Sequence, residues 1–113
     1  MTVKTSSTID AVGIDRLSGA THLNIIDALP WDDRHLQLLQ EKLNTYLGFI
    51  ETREIYRSYP DAIGRELVID IIMRFRPNPK AELFFGQARA VVESYGAVML
   101  LRHAGTGYVD DPA

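Results

Sequence analysis

Pro30-Trp-Asp-Asp33 opens the stretch of sequence that decides the fold class. The amphipathic run His35 to Ile50 follows, then a polar loop, and then the apolar segment Leu67-Val-Ile-Asp-Ile-Ile-Met-Arg-Phe75. The first run has the period of a helix, and the second has the length and β-branched content of a buried strand. A capped helix, a connection and a buried strand within one short stretch indicate a mixed α+β domain.

The first helix is predicted over about residues 32 to 52. Asp32 or Asp33 is placed to cap it, because a carboxylate accepts hydrogen bonds from the free N–H groups of the first turn. If Asp32 is the cap, Trp31 and Leu36 have the spacing of a hydrophobic staple. The buried face has three- and four-residue spacing and comprises Leu36, Leu39, Leu43, Tyr46, Leu47 and Ile50. The polar side carries Arg34, Gln37, Glu41, Asn44 and Glu51.

The segment from Glu66 to Phe75 is the strongest strand. Alternate side chains of a strand point to opposite faces of its sheet. One face is entirely apolar and is predicted to be core: Leu67, Ile69, Ile71, Met73 and Phe75. The other face alternates in character and is predicted to be only partly covered: Val68, Asp70, Ile72 and Arg74.

A second helix follows Pro77, with Asn78 as its cap and Pro79 at the first helical position, where the missing N–H is not needed. Gly96 is placed to end it in the left-handed conformation. The predicted buried stripe comprises Phe84, Ala88, Val91, Val92 and Tyr95. A last strand is predicted over 97–102.

Two short strands are predicted before the first helix, over 9–14 and 21–29, and Ser18-Gly19 between them indicates a hairpin turn. The order is therefore β-β-α-β-α-β. The short connections around the second helix predict a right-handed crossover between parallel strands. We expect an α+β two-layer sandwich, with a four-stranded mixed sheet and two helices on one face; a ferredoxin-like split arrangement is the nearest alternative. Residues 53–59 could extend the first helix or form a separate element.

The 113 residues fit one domain, which we place at 9–103, with flexible segments at 1–8 and 104–113. The absence of cysteine excludes disulfides and thiolate chemistry. A net charge of -3 without a basic cluster argues against nucleic-acid binding. No apolar run approaches the roughly 18 residues of a membrane span, and the amino terminus does not resemble a signal peptide. We therefore expect a cytoplasmic protein that does not bind membranes.

The first helix and the loop after it resemble a bacterial family of small uncharacterised proteins, a domain of unknown function. The family motif reads Asp-x-Leu-x-Trp, then His-Leu-x-Leu-Leu-Gln-x-Lys-Leu-Asn-x-Tyr-Leu-x-Phe-Ile-Glu, then Tyr-x-x-Tyr-Pro. The matching residues are Asp27, Leu29 and Trp31, then His35 through Glu51, then Tyr56 and Tyr59-Pro60. The resemblance covers about residues 9–103 and implies one α+β domain, but it implies no catalytic residue. Many members have Ser-Gly where this chain has Thr52-Arg53, so we expect a less sharp helix end.

The sequence contains no recognisable catalytic or metal-binding motif. The three histidines, His22, His35 and His103, lack the spacing of a helical metal site, and we interpret them as surface or edge residues. His35 could cap the first helix or pack on Trp31. Nucleophile-elbow, phosphate-loop and dinucleotide motifs are absent. We therefore predict no catalytic residue, no metal and no cofactor.

The partly covered sheet face has the most interesting side chains. His22, Asn24, Asp70, Arg74 and Arg102 should project there, and together they could form an acid–base or anion-binding cluster. Cross-strand charge pairing on a solvated face is the simpler interpretation. The same face should carry an apolar strip of Val68, Ile72, Val98 and Leu100. Tyr56 and Tyr59 in the loop could serve recognition or simply pack.

Two functions remain from these observations. The first is a non-enzymatic protein-interaction module that binds itself as a homodimer or acts as an immunity- or antitoxin-like partner of another protein. The apolar strip favours it, since such strips commonly mark interfaces. The second is a small enzyme or ligand-binding domain that uses the polar residues of the outer sheet face. A concave pocket there would favour the second.

Overall fold

The computed structural model describes residues 11–27 and 31–103. Its strands are β1 (Ala11–Ile14), β2 (Thr21–Asp27), β3 (Leu67–Met73) and β4 (Ala97–His103). Its helices are α1 (Asp33–Glu51), α2 (Glu54–Ser58) and α3 (Pro79–Ser94), and a 3-10 turn spans Pro60–Ala62. The predictions for residues 1–10, 28–30 and 104–113 fall outside the described residues. None of the helices in the described part is long and apolar enough to cross a bilayer.

The four strands form one mixed sheet in the order β1-β2-β3-β4. β1 and β2 form the predicted antiparallel hairpin, and Gly19 takes a positive φ of 74° in its turn. β3 pairs in parallel with both β2 and β4, so each parallel connection contains a helix, α1 or α3. The prediction of an α+β fold with a mixed four-stranded sheet is therefore confirmed. The ferredoxin-like alternative is wrong, because the strands follow one another in chain order.

Helix α1 begins and buries its side chains as predicted. The Asp32 carboxylate accepts a hydrogen bond from the backbone N–H of His35 at 2.8 Å. All predicted core positions of α1 are buried except Leu36, which is half-buried against the core: Leu39, Leu43, Tyr46, Leu47 and Ile50. The Trp31 ring makes its aromatic contacts with His35 and with Phe85. The entry of the chain into α1 is thus fixed by both the cap and this ring.

Asp32→Ala is expected to lower the free energy of unfolding by about 0.5–2 kcal/mol, because a first-turn N–H loses its acceptor. Asp33→Ala should cost less, since Asp33 already lies inside the helix. Urea unfolding of both variants measures the difference. A larger loss for Asp33→Ala would contradict the assignment of Asp32 as the capping residue.

The core lies between the sheet and the helices. β2 and β3 contribute fully buried aliphatic side chains from one face of the sheet, and α1 covers them. α3 buries Ala81, Phe85 and Val92, and of these Val92 alone belongs to the predicted stripe. Val91 and Tyr95 are exposed, whereas Phe84 and Ala88 are only partly buried. The predicted stripe is rotated by about one residue on the helix, and Phe84, Ala88 and Val91 line a groove between α1 and α3 instead.

The segment after α1 forms a separate helix, which settles the alternative left open for 53–59. Thr52 ends α1, and Arg53 takes a left-handed conformation with φ 62° before α2 begins. The expectation of a less sharp helix end is therefore wrong. One left-handed residue separates the two helices, although a side chain in this conformation costs roughly 1–2 kcal/mol relative to a right-handed one.

The ends of two strands differ from the prediction. β3 ends at Met73, so Arg74 and Phe75 lie beyond the strand. The N–H of Arg74 still donates to the carbonyl oxygen of Asp27 at 2.9 Å. β4 continues one residue further than predicted, to His103, which pairs with Met73.

Candidate functional site

The outer face is the side of the sheet opposite to the helices. The strand registers align its side chains in rows: His22 with Val68 and Val98, Asn24 with Asp70 and Leu100, and Ile26 with Ile72 and Arg102. The intervening residues, such as Leu23, Ile69 and Met99, are buried on the other side. Alternation along three parallel strands therefore brings residues that are up to 80 positions apart onto one surface.

Asp70 is the centre of a cluster of three side chains on this face. Arg102 binds it through two hydrogen bonds, from Nε to Oδ1 at 2.8 Å and from Nη2 to Oδ2 at 2.7 Å. The Nδ1 atom of His22 lies 3.1 Å from Asp70 Oδ2. Arg102 and His22 approach from different strands, β4 and β2, because β3 lies between them in the sheet. Asp70 therefore holds three adjacent strands together through side chains as well as backbone.

The electrostatics of this cluster follow from its burial. Asp70 is 1% exposed, whereas the Arg102 side chain is 50% exposed. The hydrogen bonds to Asp70 raise the pKa of Arg102 above its ordinary value. Since a carboxylate only accepts hydrogen bonds, the Nδ1 atom of His22 carries the hydrogen of the shared bond. Both oxygens of Asp70 are thus occupied, while Nε2 of His22 has no hydrogen-bond partner among the described residues.

Two residues of the predicted polar group do not join the cluster. Asn24 lies on the outer face beside Asp70, but its buried Oδ1 atom has no hydrogen-bond partner in the described part of the chain. Arg74 was expected to share this face, but β3 ends before it, and its guanidinium lies 5.7 Å from the centre of the Phe75 ring. The predicted strand extended two residues too far at its carboxyl end, and this explains the misplacement of Arg74.

Apolar side chains flank the cluster. Val98 is 41% exposed and Leu100 is 37% exposed, and both belong to the edge strand β4. Ile72 is half-buried. Val68 was predicted to belong to the strip, but it is only 6% exposed because it lies in the interior strand β3, with His22 and Val98 as its neighbours. The accessible strip therefore consists mainly of Val98 and Leu100, with Ile72 beside them.

The two loop tyrosines lie away from the outer face. Tyr56 is half-buried in α2 and packs against the core. Tyr59 is 42% exposed, and its ring meets the Phe49 ring edge to face, with 6.4 Å between the ring centres. Neither contact brings these side chains to Val98 or Leu100.

A buried ionisable pair was missed by the sequence interpretation. Nε2 of His35 lies 2.6 Å from Oδ2 of Asp27, and both side chains are 1% exposed. The imidazole stacks on Trp31 with ring centres 3.9 Å apart, and Trp31 Nε1 donates to the carbonyl oxygen of Phe75 at 3.1 Å. The interpretation of His35 as a surface or edge residue is therefore wrong, whereas the alternative that it packs on Trp31 is confirmed.

The sequence did contain a signal for this pair. Asp27 has the same parity in β2 as the buried residues Leu23 and Ile25, so it had to point inward. His35 lies four positions before Leu39 and therefore shares its helix face. A buried carboxylate needs a donor, and the first turn of α1 is the next element along the chain.

Lys42 and Tyr46 extend the buried polar region along α1. Both side chains are fully buried, and the Lys42 ammonium lies 5.8 Å from the centre of the Tyr46 ring. The Tyr46 hydroxyl donates to the carbonyl oxygen of Asn24. Lys42 stands between Leu39 and Tyr46 at helical spacing, which could have identified it as an inward-facing residue.

A metal site of three or more histidine, cysteine, aspartate or glutamate side chains does not occur within residues 11–27 and 31–103. Asp27 and Asp70 each pair with a histidine, but the two pairs lie on opposite faces of the sheet. The arrangement on the outer face can therefore position one imidazole and one guanidinium around a shared carboxylate.

Comparison with known proteins places residues 1–104 within one family model, that of DUF6572, a family of unknown function. No curated protein matches the chain. No solved structure matches it either.

Proposed function

The chain belongs to the DUF6572 family, and we propose that it is a non-enzymatic protein-interaction module whose outer face binds the outer face of a second copy. The observation that carries this proposal is an accessible apolar strip beside a carboxylate that is already paired. Val98 and Leu100 supply the strip, and Asp70 is held by Arg102 and His22.

The pairing of Asp70 makes this face suitable for burial. Removing an unpaired carboxylate from water is costly, whereas a carboxylate with its hydrogen bonds already made needs no new partner. Asp70 has little water left to lose, because it is 1% exposed. The remaining change on association is mainly the burial of aliphatic surface, which is favourable.

A second copy fits the charge of the face better than a strongly charged partner does. The chain carries a net charge of -3, so two copies repel each other weakly overall. On the outer face the charge of Asp70 is matched by that of Arg102, so apposed faces do not repel. A two-fold axis would place the strip of one copy against that of the other. An immunity- or antitoxin-like complex with a different protein is the competing form of this function.

Val98→Lys is expected to weaken self-association at least about tenfold, because it places an unpaired charge in the desolvated strip. The variant should fold, since Val98 is exposed on an edge strand and lysine is common at such positions. Sedimentation equilibrium of both proteins at about 100 μM, a concentration that populates dimers with micromolar dissociation constants, measures the effect.

Leu83→Lys is the matched control, because Leu83 is 65% exposed on α3, away from the sheet. It should associate like the wild type. A monomeric wild type would exclude the homodimer. Equal weakening by both lysine variants would show that the outer face is not the contact.

A second candidate function is acid–base catalysis or ligand binding at His22. Asp70 orients the imidazole through Nδ1 and leaves Nε2 able to exchange a proton with a substrate. His22 is about a quarter exposed, at 23%, so its ring is accessible. This function becomes the leading one if the protein is a monomer and captures no protein partner.

We place the module in the bacterial cytoplasm. The absence of cysteine is compatible with a reducing compartment, and the resemblance of the first helix to a bacterial family supports the source.

A further inference from the structure

A wide cleft of about 1280 Å³ opens at the end of the molecule where β3 and β4 begin. The last turn of α1, helix α2, the loop before β3 and the residues that follow α3 form its walls. It is separate from the outer face, and the interaction proposed above does not use it. Three arginines line it, Arg53, Arg57 and Arg65.

Within residues 11–27 and 31–103, no carboxylate forms an ion pair with these arginines. Arg53 and Arg57 are exposed and form no ion pair in the described part of the chain. Among the described residues, Arg65 donates to two backbone carbonyl oxygens, those of Asp61 at 2.8 Å and of Gly19 at 2.9 Å. These bonds hold its guanidinium at the cleft wall. Glu51 is the acidic side chain among the cleft residues, so the lining carries three positive charges and one negative charge.

The backbone at Arg53 adds a second observation. Arg53 is the non-glycine residue with a positive φ among those described, at 62°. Glycine would occupy this conformation without steric cost. Strained residues persist where the surrounding structure or a function requires their side chain. The left-handed position at the cleft thus carries a guanidinium, although glycine would adopt this conformation without the steric cost.

We propose that this cleft binds a small polyanion, an organic molecule with at least two phosphate or carboxylate groups. Guanidinium groups bind both kinds of anion through paired N–H donors. Tyr56, Tyr95 and Ile63 provide aromatic and aliphatic surface for the rest of the ligand. Three arginines around one cleft suit separate anionic groups better than they suit a single one.

A purely structural role for these arginines makes a different prediction. The carboxyl ends of α1, α2 and α3 all lie at the cleft, and cations there offset the negative ends of the helix dipoles. In that case the arginines would contribute to stability and would not bind anions. The proposal therefore requires a measurement of binding together with a measurement of stability.

Isothermal titration of the full chain with tripolyphosphate, and separately with citrate, tests the proposal. At least one of the two probes should bind at a single site. The probe with the higher affinity identifies phosphate or carboxylate as the preferred group. Binding should weaken as salt is added, because salt screens the charges.

Arg57→Gln should weaken binding of the probe about tenfold, as expected for the loss of one charge-assisted hydrogen bond. Arg34 is an exposed arginine on the polar side of α1, and Arg34→Gln should leave the affinity for the probe unchanged.

Arg53→Gly separates the two roles most sharply. It removes a charge from the cleft and also relieves the strained backbone. We expect this variant to bind the probe more weakly than the wild type and to unfold at a higher denaturant concentration. An unchanged affinity would overturn the role of Arg53.

The site itself would be overturned by two results. One is no saturable binding of either probe. The other is equal weakening by Arg57→Gln and Arg34→Gln, which would indicate unspecific attraction. Neither result would affect the dimer measurement, since Val98 and the cleft lie on different surfaces.

Discussion

Leu43→Ala is expected to lower the free energy of unfolding by about 2–5 kcal/mol. Leu43 is 3% exposed on α1 and belongs to the same buried cluster as Ile69 and Ile71 of β3. Truncation removes buried methyl groups and leaves a cavity beneath the helix, and both effects destabilise the fold. Urea unfolding followed by circular dichroism measures the loss.

Leu83→Ala is the appropriate control, since the same substitution at a 65% exposed position opens no cavity. Its effect should stay within roughly 0.5 kcal/mol. If Leu43→Ala also lost less than about 0.5 kcal/mol, the assignment of the buried face of α1 would be wrong.

His35→Ala should lower the free energy of unfolding by about 1.5–3 kcal/mol, the range for the loss of a hydrogen bond to a charged group. The substitution takes away the Nε2 contact that lies 2.6 Å from Asp27 and leaves that carboxylate buried. It also removes the ring that stacks on Trp31. Urea unfolding near pH 7 measures this loss.

His35→Gln provides the graded comparison. Its side-chain amide can reach toward Asp27 with an N–H donor, so it should recover part of the lost stability. The stack on Trp31 would not be recovered. Equal losses for alanine and glutamine would mean that the contact with Asp27 contributes nothing and that ring packing accounts for the whole effect.

Local patterns in the sequence predicted most of the fold. The caps at Asp32 and Asn78, the spacing of apolar residues in α1 and the alternation in β3 each depend on neighbours within a few positions. Such patterns can be interpreted without knowledge of tertiary contacts. The hairpin followed from the Gly-containing connection between two short strands, and the parallel pairing of β3 with β4 followed from the short connections around α3.

The errors arose where tertiary contacts decide the outcome. The stripe of α3 is correct at Val92 and only in part elsewhere, because apolar residues occur on two adjacent faces and the sequence does not say which face meets the sheet. Arg53 occupies a left-handed position that sequence preference assigns to glycine. His35 was interpreted as exposed because its partner, Asp27, lies in another element.

The candidate site was only partly predictable for the same reason. Alternation placed His22, Asp70 and Arg102 on one face, but the bidentate bond depends on the register between β3 and β4. Val68 and Val98 both point outward, yet one is buried and the other exposed. Val68 is buried because β3 is an interior strand, and Val98 is exposed because β4 is an edge strand. The strand order, which decides this, is not evident from the sequence.

Intermolecular nuclear Overhauser effects would detect self-association through the outer face directly. In a mixture of ¹³C-labelled and unlabelled protein, isotope-filtered spectra detect only contacts between different copies. A homodimer formed through the outer face should give intermolecular effects from the methyl groups of Val98 and Leu100 and none from those of Leu83. Effects from Leu83 alone, or none from any methyl group in a protein at about 0.5 mM, where even a weak dimer is populated, would contradict it.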